Sequence, residues 1–168
     1  IGVRLPMEKV CAGIAEAARR ISRHAGSDAA RAIMTTDTKP KEVAVEFPVG
    51  DGLEVALGGG RTYFLPNSIL DPEYAATRGR RTDGRDLTQE WVTARPGRSY
   101  VWNKAAFEAV NPDTTRQLLG LFEPSHVKYE ADRANDAAGE PSLAEMTRKS
   151  IQMLQKNPKG FYLMVEGG

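Results

Sequence analysis

The residues that could do chemistry are few, and the first is a carboxylate. Glu166 follows Phe161-Tyr162-Leu163-Met164-Val165, a continuous apolar run of strand length. Such runs belong to parallel strands buried on both faces. Open α/β sheets place their ligands at the carboxyl ends of their strands, so Glu166 is a candidate ligand for a hard cation. The alternative is a solvated strand end. Gly58-Gly59-Gly60-Arg61 also follows a strand-like stretch. Its backbone N–H groups could approach a phosphate, or its glycines could serve a tight strand-to-loop turn. Neither the Walker lysine spacing nor Gly-x-Gly-x-x-Gly accompanies it. Arg78-Gly79-Arg80-Arg81 could bind an anion or be solvated loop charge. Thr35, Thr36 and Thr38 offer hydroxyls, but no general base is placed beside them by sequence, and β-branched strand filler accounts for them. Cys11 lies on an apolar helix face and reads as an inert core thiol.

The totals narrow these options. A chain of 168 residues can bury one moderate core. Its net charge is +1 with scattered Lys and Arg, which gives no support to a nucleic-acid surface. One cysteine excludes an internal disulfide framework. Only His24 and His126 are available as imidazole ligands, too few with that cysteine for an all-protein zinc site. No apolar run approaches the ~20 residues of a membrane span, and no signal peptide is visible. The chain opens at Ile1, as a processed product or a fragment would.

The elements that must position these groups follow from periodicity. Met7, Val10, Cys11, Ile14, Ala18 and Ile21 predict a helix over residues 7–22, with Arg19, Arg20 and Arg23 at its end. A short helix is expected from Ser27 through Ile33, and a half-buried strand from Lys41 to Phe47. Leu53–Leu57 is the next strand, and Asn67–Arg85 a loop. Asp86 then caps a helix carrying Leu87, Trp91 and Val92. Ser99–Trp102 predicts a strand, Asn103–Phe107 a helix and Leu118–Phe122 a strand ending at Glu123. Ser142 and Glu145 form a capping-box pair. They open a helix whose buried face is Leu143, Met146, Ile151 and Leu154, with Met153 beside it. Asn157-Pro158-Lys159-Gly160 stops it before the last strand, Phe161–Val165, expected to be central. Alternating strands and helices predict an α/β fold, a partial parallel sheet with crossover helices.

Two resemblances overlay this pattern. Ile1-Gly2-Val3, Leu5-Pro6-Met7, Ala12-Gly13-Ile14 and Ala32-Ile33-Met34-Thr35-Thr36-Asp37-Thr38 with Pro40-Lys41-Glu42 resemble the ornithine (glutamate) N-acetyltransferase family over about residues 1–47. That family's glycine-rich stretch and self-cleaving threonine nucleophile are not found. Residues 48–168 resemble the alkaline phosphatase family through many motifs in order. These are Ala56-Leu57-Gly58-Gly59-Gly60-Arg61, Thr82-Asp83-Gly84-Arg85-Asp86-Leu87, Tyr100-Val101-Trp102-Asn103, Gly120-Leu121-Phe122-Glu123 and Lys128-Tyr129-Glu130. Pro141-Ser142-Leu143, Glu145-Met146-Thr147, and Asn157-Pro158 through Val165-Glu166-Gly167-Gly168 continue the series. The two likenesses meet near Val45–Gly52, which divides the chain into an acetyltransferase-like segment (1–47) and an alkaline-phosphatase-like α/β segment (48–168).

The second resemblance implies a phosphate monoester hydrolase working through a serine-phosphate intermediate with two zinc ions and one magnesium. It implies that Glu166 is the magnesium-binding carboxylate. It also implies that Phe122 (through its carbonyl), Glu123 and Glu140 belong to a peripheral calcium site described in animal members, where aspartate stands in place of Glu140 after a shorter loop. Calcium takes 6–8 oxygens, so these three would need company. The family's serine nucleophile, phosphate-clamping arginine and zinc ligands have no matching segment. No catalytic residue is therefore assigned, and the isolated chain is expected not to hydrolyse phosphate esters measurably. Family members are periplasmic or extracellular. The expectation is a metal-dependent phosphatase lineage, present as an incomplete fragment that self-associates through exposed sheet edges. An acetyltransferase-related chain or a non-catalytic composite segment are the alternatives.

Overall fold

The computed structural model describes residues 30–35 and 53–167. Its centre is a five-stranded sheet in which every pairing is parallel. The strands are β1 (Ala30–Thr35), β2 (Val55–Gly58), β3 (Arg98–Val101), β4 (Gln117–Leu121) and β5 (Phe161–Val165), in spatial order β3-β4-β2-β1-β5. Helix α1 (Leu87–Ala94) lies between β2 and β3, α2 (Lys104–Ala109) between β3 and β4, and α3 (Leu143–Leu154) between β4 and β5. The expected α/β class with crossover helices is the observed one.

Local sequence explains where each helix starts. Asp86 Oδ1 accepts from Thr88 N at 2.9 Å and Gln89 N at 3.2 Å, and Asn103 Oδ1 accepts from Ala106 N at 2.8 Å. At α3 the capping box is complete: Ser142 Oγ accepts from Glu145 N at 3.1 Å, and Glu145 Oε2 accepts from Ser142 N at 2.7 Å. Each such cap satisfies N–H groups that a helix start leaves orphaned, worth ~1 kcal/mol.

Strand β4 carries both cores because successive side chains alternate faces. Leu118 and Phe122 pack with Val55, Leu57, Phe107, Met146, Met153 and Leu154, under α2 and α3. Leu119 and Leu121 pack with Trp91 of α1. Gly120 has no room for a side chain, since a Cβ there would stand 2.6 Å from Leu57 Cδ2 and 2.7 Å from Phe122 Cζ.

Three expectations need correction. Ala30–Thr35 is strand where a helix was expected from Ser27 through Ile33. The helix propensity of its alanines is a weak prior that loses there to ladders on both sides, with β2 and β5. Strand β5 has the expected bounds but is outermost in the sheet, and Phe161, Tyr162 and Val165 are about 40% exposed (40%, 43% and 42%). A continuous apolar run reports that both faces of a strand are apolar, not what covers them. In α3, Ile151 is exposed, and Ser150 takes its place on the buried face by bonding Met146 O at 2.8 Å. The helix expected over 7–22, with Cys11, and the strand expected over Lys41–Phe47 lie outside the described residues, as do His24, Thr36 and Thr38.

Candidate metal centre

Because all strands are parallel, Val101, Gly58, Leu121, Thr35 and Val165 end on one edge of the sheet. The loops after β2 and β4 leave that edge side by side. Gly60 N donates to Ser125 O at 2.6 Å and Arg61 N donates to Glu123 O at 2.9 Å. A Cβ on Gly59 would stand 2.0 Å from Ser125 O, and Gly60 has φ 86°. The glycine run therefore makes a close loop-to-loop contact, and the N–H groups of Gly60 and Arg61 are spent on it rather than offered to a phosphate.

Arg61 is fully buried. Its Nε donates to Asp71 Oδ2 at 2.8 Å, and Nη2 donates to Asp71 Oδ1 at 2.7 Å and Glu73 Oε2 at 2.9 Å. Nη1 donates to Leu121 O at 3.0 Å and Trp102 O at 3.2 Å. Burial opposes charge on Asp71, but the Arg61 hydrogen bonds outweigh it and hold the carboxyl below its ordinary range. The other arginines staple the same loop. Arg78 donates to Ser68 O at 3.3 Å, Arg80 to Tyr63 Oη at 3.0 Å, and Arg81 pairs with Asp83.

Behind Arg61 the carboxylates converge. Glu73, Glu123 and Asp136 each offer an oxygen within 4.8 Å of the others. Lys128 is the cation among them: its Nζ donates to Glu123 Oε1 at 2.5 Å, Asp136 Oδ1 at 2.9 Å and Tyr74 Oη at 3.0 Å. Tyr74 Oη donates in turn to Glu123 Oε1 at 3.1 Å. Glu140 is 1% exposed, and its Oε1 accepts from Lys128 N at 2.7 Å.

The negative charge is not fully balanced. Asp71, Glu73, Glu123, Asp136 and Glu140 face Arg61 and Lys128, and the buried oxygens Asp136 Oδ2 and Glu140 Oε2 have no hydrogen-bond partner. Burial raises Glu73 and Glu123 above the usual carboxylate range, and the Asp136 charge adds to both. Burial, then repulsion from Glu123 and Asp136, pushes Glu140 up to about 7. For Asp136 burial is outweighed by Lys128, and its carboxyl stays low. An all-oxygen donor set with orphaned carboxylate oxygens fits a hard divalent cation and does not fit a thiophilic one.

Of the residues singled out from the sequence, Glu123 falls in this group, and Glu140 lies beside it, near enough to feel the Glu123 and Asp136 charges. Phe122 is buried, with its ring edge-on to Phe107 at 5.6 Å. Glu166 leaves the same sheet edge from β5, with β1 and β2 between it and β4, roughly 14 Å away at the usual strand spacing. Glu73 and Asp136 escaped the sequence reading. Glu73 sits in the Asn67–Arg85 loop, singled out only for its arginine cluster, and Asp136 in a polar stretch without periodicity.

The Alkaline phosphatase family profile matches residues 12–168 and so reaches well into the segment resembling the acetyltransferases. The chain is 48% identical over 122 residues to the tissue-nonspecific isozyme of alkaline phosphatase from Gallus gallus, covering 69% of this chain and 23% of that protein. It is 44% identical over 122 residues to an alkaline phosphatase from Gadus morhua, covering 69% of this chain and 25% of that one. The crystal structure of Thermus thermophilus alkaline phosphatase superposes with a TM-score of 0.65 at 30% identity, covering 88% of this chain and 30% of that chain. This chain thus spans about a quarter of the length of its curated relatives. With that profile match and the parallel sheet it accompanies, the chain belongs to the alkaline phosphatase family.

Proposed function

We propose that this segment serves a phosphate monoester hydrolase by holding a hard divalent cation, calcium by preference, in the carboxylate group beyond β2 and β4. The observation that carries the reading is the pair of buried, unpartnered oxygens on Asp136 and Glu140, beside the converging carboxylates of Glu73 and Glu123. Leaving such atoms unsatisfied costs on the order of 1–3 kcal/mol each, more when charged. Glu73, Glu123, Asp136 and Glu140 would hold the ion, with the Phe122 carbonyl as a further oxygen. The ion would supply charge neutralisation, tying the loops around residues 73, 123 and 140 to one point. Arg61 positions Glu73 through its Nη2, and Tyr74 orients Glu123 by donating to Oε1.

The family is generally metal-dependent, and hydrolysis of phosphate monoesters with zinc and magnesium belongs to the complete enzyme. Within this segment we assign Glu166 to magnesium, on its strand-end position and its match to the family motif. The cation site is tested by calorimetric titration of the chain with calcium, alone and as Glu123→Gln. Binding that raises the melting temperature and is lost in the variant supports the reading. Binding indifferent to Glu123→Gln overturns it.

A further inference from the structure

The carboxylate group already contains a cation. Lys128 Nζ has three hydrogen-bond partners, Glu123, Asp136 and Tyr74, and so uses all three of its N–H donors. Two of those partners are proposed ion ligands. We propose that the Lys128 ammonium is a built-in competitor of the divalent cation: it fills the Glu123–Asp136 side of the cage when no ion is bound and withdraws when one enters. The proposal rests on the cation site argued above.

Three features support a displaceable ammonium. A single positive charge leaves Asp136 Oδ2 and Glu140 Oε2 without partners, so the lysine neutralises the cage only in part. Lysine also has somewhere to go. Its side chain is 27% exposed, and it lines a cavity of about 400 Å³ together with Tyr129, Glu130 and Arg133. Finally, Arg61, which also bonds one of these carboxylates, cannot play this part. Arg61 is fully buried, with its guanidinium fixed by Asp71, Glu73 and two backbone carbonyls. A flexible four-carbon stem ending in a point charge can leave where a planar fork cannot. Asp136 joins the two states, because one of its oxygens is held by the lysine and the other, among the Glu73 and Glu123 carboxylates, has no hydrogen-bond partner.

The test uses calcium chloride as titrant against the full chain, Lys128→Met, Tyr74→Phe and Glu123→Gln, with melting temperatures recorded with and without calcium. Tyr74→Phe removes an anchor of the ammonium, together with the hydroxyl that orients Glu123, while keeping every carboxylate, and it serves if Lys128→Met does not fold. Lys128→Met is expected to bind calcium roughly tenfold tighter or more, since a like charge has left the ligand oxygens. Without calcium it should melt below the unaltered chain and gain more from calcium. Tyr74→Phe should shift the affinity the same way by a smaller factor. Calcium binding by Lys128→Met alone would mean that the lysine stands permanently in the ion's place, and would overturn both its displacement and the cation site of the unaltered chain. Equal or weaker binding in both variants, with binding still lost in Glu123→Gln, overturns the competition and leaves the cation site standing. No calcium binding by any of the four proteins overturns both.

Discussion

Arg61 and Asp71 meet fork to fork in a space that water does not reach: Nε to Oδ2 at 2.8 Å, Nη2 to Oδ1 at 2.7 Å, and neither side chain exposed at all. The pair joins the turn after β2 to the loop that carries Glu73. Removing one partner leaves a buried charge alone, which costs about 3–5 kcal/mol. Asp71→Ala should therefore lower the chain's stability by that order in a denaturant titration. A loss below ~1 kcal/mol would show that the pair can open to water.

Glu145 gives a pH dependence with a definite sign. Hydrogen bonds from Ser142, with help from Lys104 and against a small burial cost, lower its pKa to about 2 from an ordinary 4.5. A depressed carboxyl contributes stability that is complete above its unfolded pKa and is lost as pH falls through the folded one. The stability advantage of the unaltered chain over Glu145→Gln should be constant above about pH 5 and shrink between 4.5 and 2. Comparing thermal melts of the two proteins across that range checks it. An advantage that grows on acidification would remove Glu145 from the cap.

At Glu166 the expected outcome is weak magnesium binding. Magnesium keeps several waters and takes one or two protein carboxylates, so a lone strand-end acid suffices for no more than millimolar-class affinity. Glu166→Gln should abolish that binding in a magnesium titration without shifting the melting temperature. Tight binding unaffected by the substitution would move magnesium elsewhere, first to the carboxylates around Glu123.

Among the described residues, strand β5 is the outer strand of the sheet and carries apolar residues. Phe161, Tyr162 and Val165 are all substantially exposed, and a long exposed edge invites pairing with another chain. Sedimentation velocity should show association that increases with concentration and is suppressed by Tyr162→Lys. A monomer at all concentrations would mean that the edge is shielded.

What the sequence revealed was local. Asp86, Asn103 and the Ser142–Glu145 pair announce three helix starts, because a cap needs only residues three apart. Strands β3, β4 and β5 were legible within one or two residues, and their alternation with helices gave the class. The metal centre was legible only by halves. Glu123 and Glu140 stood out through family motifs, whereas Glu73 reaches Glu123 from a loop fifty residues upstream in the chain, with two crossover helices between them. Asp136 carries no pattern at all, and its importance lies in a buried oxygen without a hydrogen-bond partner. Lys128 stood in a motif, but nothing in Lys128-Tyr129-Glu130 says that its ammonium turns toward Glu123. The place of β5 was misjudged for a related reason: hydrophobicity is a property of the strand, and position in the sheet is a property of its neighbours.

The strand order carries a consequence for how the molecule is made. β1 pairs on one side with β2, which follows it soon in the chain, and on the other with β5, joining Ala30 to Phe161. During synthesis, β2, β3 and β4 can assemble with α1 and α2 as they emerge, while the described partner of the outer side of β1 arrives only with β5. Pairings between such distant segments close slowly. A ribosome stalled before Phe161 would therefore display β1 without its β5 partner, and it is in this half-built state that a chaperone would have most reason to hold the sheet.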